Sequence, residues 1–319
     1  MSQPEEDRYR ALVVDPRAAG MRADVYLAAR FGEWSRTAVA RAIRSGEVRS
    51  ATRELKPSST LLPGEELQVF VPTIAPAGPK PPCPPLLHED PRVLAFDKPA
   101  GLLAHPVGRA FAWGLINLAR ERFPEEPLHL AHRLDRETSG VSLVARDEDA
   151  NRQLKEAFRA RETAKRYLAL VRGRVPWDQQ RVDAPIGDDM ASPIRLKQGV
   201  RPDGLPAVTE VTVVERFEAL TLVSCRPLTG RTHQLRVHLD ALGFPILGDK
   251  IYGQPPEVFL SIYEGRPLED LDARLVHLRH ALHAAALTIP HPDGGVLSVE
   301  APLPADFVEV MDRARGEAR

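Results

Sequence analysis

Ala131 to Gly140 reads AHRLDRETSG, with five charged or ionisable side chains (His132, Arg133, Asp135, Arg136 and Glu137) in six consecutive positions. Leu134 is the lone bulky apolar residue between Arg133 and Val141. That pattern supports neither an amphipathic helix nor an alternating strand, so the stretch reads as a loop. Within it Asp135 lies among Arg133, Arg136 and His132, cations that would hold its carboxylate ionised. A carboxylate kept charged suits a nucleophile or an electrostatic stabiliser and is unfit to be an acid. The same composition also occurs as a plain arginine–aspartate lattice at a surface, and spacing alone leaves both readings open.

Outward from this loop the chain alternates. VLAFDKPAGLLAH is a strand entering a Pro99–Gly101 turn, and FAWGLINLARERF has helical spacing. VSLVAR, YLALVRGRV, VTEVTVVERF and TLVSCRPL read as strands, ANRQLKEAFRA and THQLRVHLDALG as helices. Strands and helices without a regular βαβ rhythm predict an α+β fold, a mixed, mainly antiparallel sheet flanked by helices. Phosphate-loop, dinucleotide, zinc-protease and serine-hydrolase motifs are missing from the sequence. His129 and His132, and likewise His277, His280 and His283, recur at threes without a carboxylate or cysteine at ligand spacing, so no metal site is expected. In THQLRVHLDALG the spacing of Leu235, Leu239 and Leu242 sets a buried face, with Gly243 as the stop. Arg236 falls just off that face beside His233, one turn back. Arg231, at the loop-to-helix junction, suits either phosphate or solvent. Lys98 reads as a residue that positions its turn, and Cys225 as a buried strand residue.

The chain has 319 residues, 43 Lys+Arg against 44 Asp+Glu, and a net charge of -1. A polyanion would therefore have to be met by a local patch. RARETAKRYLALVRGR supplies one, with Arg159, Arg161, Lys165, Arg166, Arg172 and Arg174 against Glu162 alone. Two cysteines without a CxxC pair imply a reducing compartment, and no run of about 18 apolar residues is present. A cytoplasmic protein without a membrane span, and a monomer, is the expectation. Seven prolines in Pro72–Pro85 mark a semi-rigid spacer, dividing an N-terminal unit (13–72) from a large one (88–305) across a linker (73–87), with a polar tail at 306–319. In the small unit WSRTAVARAIRSGEV reads as a helix capped by Ser35, with Val39, Ala42 and Ile43 inward and Gly46 ending it. Arg36, Arg41 and Arg44 then lie off the apolar stripe, on either a solvated basic face or an RNA-gripping one.

The Arg22-Ala-Asp-Val-Tyr-Leu, Trp34-Ser-Arg-Thr and Ile43-Arg-Ser-Gly-Glu-Val stretches, with the Pro63–Glu66 turn, resemble the RNA-binding module named after ribosomal small-subunit protein four. The chain departs from that module where Arg49-Ser50-Ala51 replaces a Val-Asn-Gly turn. His132-Arg-Leu-Asp135 with Thr138-Ser-Gly140 resembles the signature of RNA pseudouridine synthases of the RluA/RluC/RluD type. Four further stretches fall in that family's order: Lys98-Pro-Ala-Gly-Leu with His105-Pro106; Thr163 to Val171; Leu228 to His238 followed by Pro245-Ile-Leu-Gly-Asp249; and Arg279 to Ala284. The resemblance covers about residues 13 to 305.

The resemblance implies that the glycosidic nitrogen bond of a uridine in RNA is broken, the uracil turns, and its carbon five is joined to the same sugar. It assigns Asp135 as the essential aspartate, attacking the anomeric carbon or taking a sugar proton. Tyr167 becomes the active-site tyrosine and Arg236 the site arginine, paired with Asp135. Arg133 would fill the space of the extruded base, with His132 and Arg231 at the substrate. Lys165 and Arg166, with Arg36, Arg41 and Arg44, would hold RNA. Neither metal nor organic cofactor is called for. The partner would be RNA: ribosomal RNA of the large subunit, with transfer RNA a second possibility. Two other readings stand beside this one: a catalytically silent RNA-binding or assembly protein on the same fold, and a glycosidase-like hydrolase pairing Asp135 with Glu137.

Overall fold

The computed structural model describes residues 9–30, 36–70, 80–105, 113–194, 196–263, 275 and 277–316. They divide into two compact units; the main division falls between Pro81 and Pro82, inside the proline-rich stretch, and Trp113 is grouped with the smaller unit.

The smaller unit contains β1 (Tyr9–Val13), α1 (Ala23–Arg30), α2 (Arg36–Arg44), β2 (Val48–Ser50) and β3 (Glu66–Phe70), with an antiparallel sheet in the order β1-β3-β2. Val39, Ala42 and Ile43 on α2 are buried as their spacing predicts, against Leu27, Leu61 and Leu67. Gly46 stands at φ +81°, the conformation that ends a helix. The Ser35 cap lies outside the described residues. The turn that carries Glu65 closes the unit from within. Arg53 donates through Nε and Nη2, and Ser50 and the Leu62 amide also donate to the buried carboxylate. Chiefly through Arg53, these bonds pull its pKa down to about 2.

The larger unit is built on one ten-stranded sheet. Its main path is β4 (Leu86–Glu89), β5 (Val93–Lys98), β7 (Ser139–Ala145), β14 (Leu282–Pro290), β8 (Ala164–Arg172), β13 (Leu220–Pro227), β12 (Val208–Arg216) and β9 (Gln179–Asp183). β6 (His129–Leu130) adds to β7, and β15 (Val296–Glu300) to β14. β10 (Ile186–Asp188) and β11 (Gln198–Val200) form a separate hairpin. Helices α3 (Leu115–Arg122), α4 (Glu148–Ala160), α5 (Gln234–Ala241), α6 (Pro256–Tyr263) and α7 (Ala305–Arg315) flank the sheet. The mixed, mainly antiparallel α+β architecture is the one expected. Among the described strands of the sheet, β7 and β14 run parallel, touching at Ser139–His283 and Ala284–Gly140.

That parallel contact explains how AHRLDRETSG ends. Gly140 has φ +108°, and a Cβ there would sit 2.2 Å from the carbonyl oxygen of Ala284. Only glycine permits so close a main-chain approach. Ser139 Oγ and His283 Nδ1 are 3.0 Å apart, and Thr138 Oγ1 and His280 Nε2 are 2.8 Å apart. The three closing residues of the motif thus fasten the loop to the start of β14.

The C-terminal region departs from the sequence reading. Residues 306–319 are expected to be a polar tail, yet α7 covers Ala305–Arg315 and buries Phe307, Val310 and Met311 in the sheet's core. Three apolar residues among many charges are a weak hydropathy signal, but at i, i+3 and i+4 they make one narrow stripe. Phe307→Ala should lower the stability of this unit by about 3–5 kcal/mol in chemical denaturation, the cost of emptying a buried aromatic site. A loss below about 1 kcal/mol would mean that α7 is not packed in solution.

Candidate active site

Asp135 lies on the loop joining β6 to β7, closed by a turn in which the Thr138 amide donates to the Asp135 carbonyl (3.1 Å). Few of the loop's side chains are apolar, so polar groups hold it. Lys98, at the end of β5 and without solvent exposure, donates from Nζ to the carbonyls of Pro99 (2.9 Å), Leu102 (2.8 Å) and Arg136 (3.3 Å). Burial, with the nearby charge of Arg279, pulls its pKa down to about 7. The turn residue expected to position its loop therefore also ties that turn to the Asp135 loop. Arg279 donates from Nη1 to the Glu137 carbonyl (3.1 Å) while its other nitrogens pair with Asp306 at the start of α7. The Glu137 side chain accepts from Lys250 and from the His280 amide.

The expected cation ring around Asp135 is replaced by another. Arg133 is exposed, and Arg136 donates instead to the Gly101 carbonyl (3.1 Å). His132 accepts the Leu143 amide at Nε2 (3.1 Å) and packs on Phe158, and burial holds its pKa down to about 4. Its ring is an internal acceptor of the sheet, and the groups that face Asp135 come from α5 and the residue that precedes it. Arg236 Nη1 donates to Oδ2 at 3.3 Å, and His233 Nε2 lies 4.0 Å from the same oxygen. Burial alone would raise the Asp135 pKa; the facing charges, of which Arg236 is the permanent one, bring it below the ordinary carboxylate value. An aspartate kept ionised, as the loop composition suggested, is therefore present, although its partners lie about a hundred residues further along the chain.

Arg236 itself is anchored from behind by Asp249, a residue to which sequence reasoning gave no role. Nε and Nη2 reach the two oxygens of Asp249 at 2.6 and 2.9 Å, a bidentate pair. The amides of Ile251 and Tyr252 donate to Asp249 Oδ1 (2.9 and 3.1 Å). Burial would raise this carboxyl, but Arg236 and those amides bring its pKa down to about 2. The guanidinium also lies 4.9 Å above the ring of Tyr252. Gly248-Asp249 ends the Pro245–Asp249 stretch, and a Cβ on Gly248 would meet the Arg279 carbonyl oxygen at 2.0 Å, a close approach that no local pattern encodes.

The remaining expected residues divide. Tyr167, on β8 opposite Cys225 and Ala284, is half-buried; burial and the charge of Asp135 raise its pKa, so the phenol stays protonated. Cys225 is buried as expected, and burial pushes its thiol up to about 12. Arg231 donates to the Pro206 carbonyl (3.0 Å), and its amide donates to Gln234, whose buried side chain also bonds Thr229, Val208 and Thr209. Leu242 is half-buried, whereas Leu235 and Leu239 are buried. In the basic stretch Lys165 Nζ reaches the Thr229 carbonyl (3.4 Å) and Arg166 pairs with Glu300 (3.3 Å). In the smaller unit Arg36 pairs with Asp24 (3.0 Å), while Arg41 and Arg44 are exposed. Among the described residues no cluster could hold a metal ion, and no helix is long and apolar enough to cross a membrane.

A family model described as RNA pseudouridylate synthase matches residues 92–241, a span that includes Asp135, Tyr167 and Arg236. The chain is 38% identical to ribosomal large subunit pseudouridine synthase D of Xanthomonas campestris, over 99% of this chain and 96% of that one. It is 34% identical to ribosomal large subunit pseudouridine synthase C of Escherichia coli (strain K12), over 98% of each. Among solved structures, human RNA pseudouridylate synthase domain containing 4 superposes with a TM-score of 0.56 at 30% identity, covering 72% of this chain and 92% of that one. Matched over nearly its whole length, and carrying an ionised loop aspartate held by a helix arginine, this chain belongs to the RNA pseudouridine synthase family.

Proposed function

We propose that this chain converts uridine to pseudouridine in large-subunit ribosomal RNA, with Asp135 as the residue that carries the reaction. The observation that supports it most directly is the state of Asp135, a carboxylate held ionised by Arg236 on a loop with partial access to solvent. The names of relatives alignable over nearly the whole chain support ribosomal RNA as substrate. Uridine isomerisation keeps every atom. The N1–C1′ bond breaks, a C5–C1′ bond forms, the C5 proton leaves and N1 gains one. A single carboxylate acting on the ribose is enough to start such an exchange, and no redox or phosphoryl chemistry has to be supplied.

Around Asp135 the other residues take supporting roles. Tyr167 offers a half-buried ring against which uracil can stack, and its protonated phenol can hand on a proton as it receives the one leaving C5. Arg133, exposed on the same loop, is placed to fill the stack of an extruded uridine. Arg231 and the exposed part of Lys165 and Arg166 would meet phosphates. The smaller unit would be an RNA grip through Arg41 and Arg44 in the last turn of α2. A monomer working in the cytoplasm, where ribosomal RNA and reduced thiols occur together, completes the reading.

Three outcomes test it. With large-subunit ribosomal RNA lacking modifications and tritiated at uridine C5, the protein should release tritium to water, and Asp135→Asn should bring release to background while RNA affinity stays within a few fold. Because Asp135 titrates below the ordinary carboxylate range, its base form persists as pH falls. The single-turnover rate should therefore stay level from about pH 6.5, where Lys98 is already protonated, down to about pH 5, and an acid limb centred near pH 6 would contradict the assignment. Replacing Arg41 and Arg44 together by glutamine should weaken binding to matched and unmatched RNA alike. The slope of log affinity against log salt should shrink by roughly 1 to 2, and an unchanged slope would remove α2 from the interface.

A further inference from the structure

His233 stands at the start of α5 with φ +56°, in the left-handed region that side chains other than glycine rarely adopt. Strain of this kind persists where surrounding contacts over-determine the residue, and it concentrates at functional sites. Two contacts orient the ring here. Nδ1 is 2.9 Å from the Tyr252 hydroxyl, and Nε2 is 4.0 Å from Asp135 Oδ2.

The first contact fixes where the imidazole proton sits. Tyr252 is buried, and its hydroxyl oxygen already accepts the amide of Gln198 on β11 (3.0 Å). Its single proton has one acceptor among the described residues, His233 Nδ1. A proton on Nδ1 instead would leave that buried hydroxyl without an acceptor, an unfavourable arrangement. Nδ1 is therefore the acceptor, and the proton of the neutral ring lies on Nε2, facing the aspartate. Burial and the adjacent charge of Arg236 support the neutral form, holding the pKa down to about 4.

The second contact is a gap too long for a hydrogen bond and too short for a bridging water; a movement of about 1 Å closes it. Both His233 Nε2 and Arg236 Nη1 (3.3 Å) face the same oxygen, Oδ2. No donor among the described residues reaches Oδ1. We propose that His233 is a positioning residue for the reaction: held by Tyr252 as the Nε2–H tautomer, it donates to Asp135 Oδ2 as the site closes on RNA and leaves Oδ1 as the oxygen presented to the ribose. The inference rests on the uridine-isomerase reading above. It also gives the β10–β11 hairpin a part, since the Gln198 amide sets the direction of the Tyr252 hydroxyl.

Two replacements separate this role from a merely structural one. Glutamine can place an amide donor where Nε2 stands, whereas asparagine preserves the Nδ1 position and has nothing that reaches Asp135. His233→Asn should slow single-turnover tritium release by about 10- to 100-fold with RNA affinity unchanged, the range for losing a hydrogen bond to a charged group. His233→Gln should stay within about threefold of the unaltered protein. Asparagine tolerates the left-handed region better than glutamine, so a role confined to backbone strain predicts the reverse order. The reverse order, or equal rates in the two variants, would overturn the proposal. Side-chain ¹⁵N spectra of histidine-labelled protein give an independent reading, with His233 identified by the signal that shifts in Tyr252→Phe. An unprotonated Nδ1 is expected, and a protonated one overturns the proposal whatever the kinetics. An unaltered protein that released no tritium would count against the isomerase reading alone, because the spectra would still report the tautomer.

Discussion

The site depends on one guanidinium shared unequally between two carboxylates. A buried arginine is costly unless its charge is matched and its donors are satisfied, and Asp249 does both with two short parallel bonds. Two backbone amides satisfy Asp249 in turn, so the pair is a closed unit inside the fold. What remains for Asp135 is a single longer bond from Nη1, at 3.3 Å, to a side chain still 35% exposed. Were the geometry reversed, Asp135 would be locked in an ion pair and poorly placed to act. As it stands, Arg236 keeps Asp135 ionised and leaves it accessible.

A loop with so few apolar anchors needs another source of rigidity, and the main chain provides it. Lys98, Arg279 and Glu137 all engage backbone groups, linking the Asp135 loop to the end of β5, to the residues just before β14 and to the start of α7. The tight parallel crossing at Gly140 fixes where the loop ends. These are contacts between elements far apart in sequence, so the position of Asp135 reports the packing of the whole larger unit. That is why α7, remote in sequence from every signature stretch, bears on the site: its Asp306 and Phe307 hold Arg279.

How much of this was legible in the sequence follows from the range of each interaction. Strands with alternating or continuous apolar runs, and the helices α4 and α5, are encoded by local periodicity and were readable. The ionised state of Asp135 was expected from the wrong neighbours, because the groups that hold it lie on and beside α5. The identity of the cations was not readable, since His132 and Arg136 are three and one residues from Asp135 yet point to the Leu143 amide and the Gly101 carbonyl. Helical phase set Arg236 beside His233, and its pairing with Asp135 was expected from the family resemblance. Asp249 could not, because its role is set by a turn whose geometry depends on the approach of the Arg279 backbone. Helix α7 was hidden by its charges, and the short strands β10, β11 and β15 lack the length that gives a periodic signal its weight.

The same distinction governs how a chain of net charge -1 can act on a polyanion. Much of its arginine is internal in function: Arg53, Arg236 and Arg279 neutralise buried or half-buried carboxylates, and Arg216 donates to backbone carbonyls. Those cations and their partners cancel within the fold and contribute little field outside it. The charge left outside the fold is therefore decided by which basic residues remain at the surface, among them Arg41, Arg44 and Arg133, and near neutrality overall is compatible with phosphate binding. A count of charges describes the field at a distance, whereas recognition of a duplex or loop depends on cations within a Debye length of its phosphates. Burying the paired arginines and exposing a few others leaves positive charge at particular points of the surface without an extended positive field.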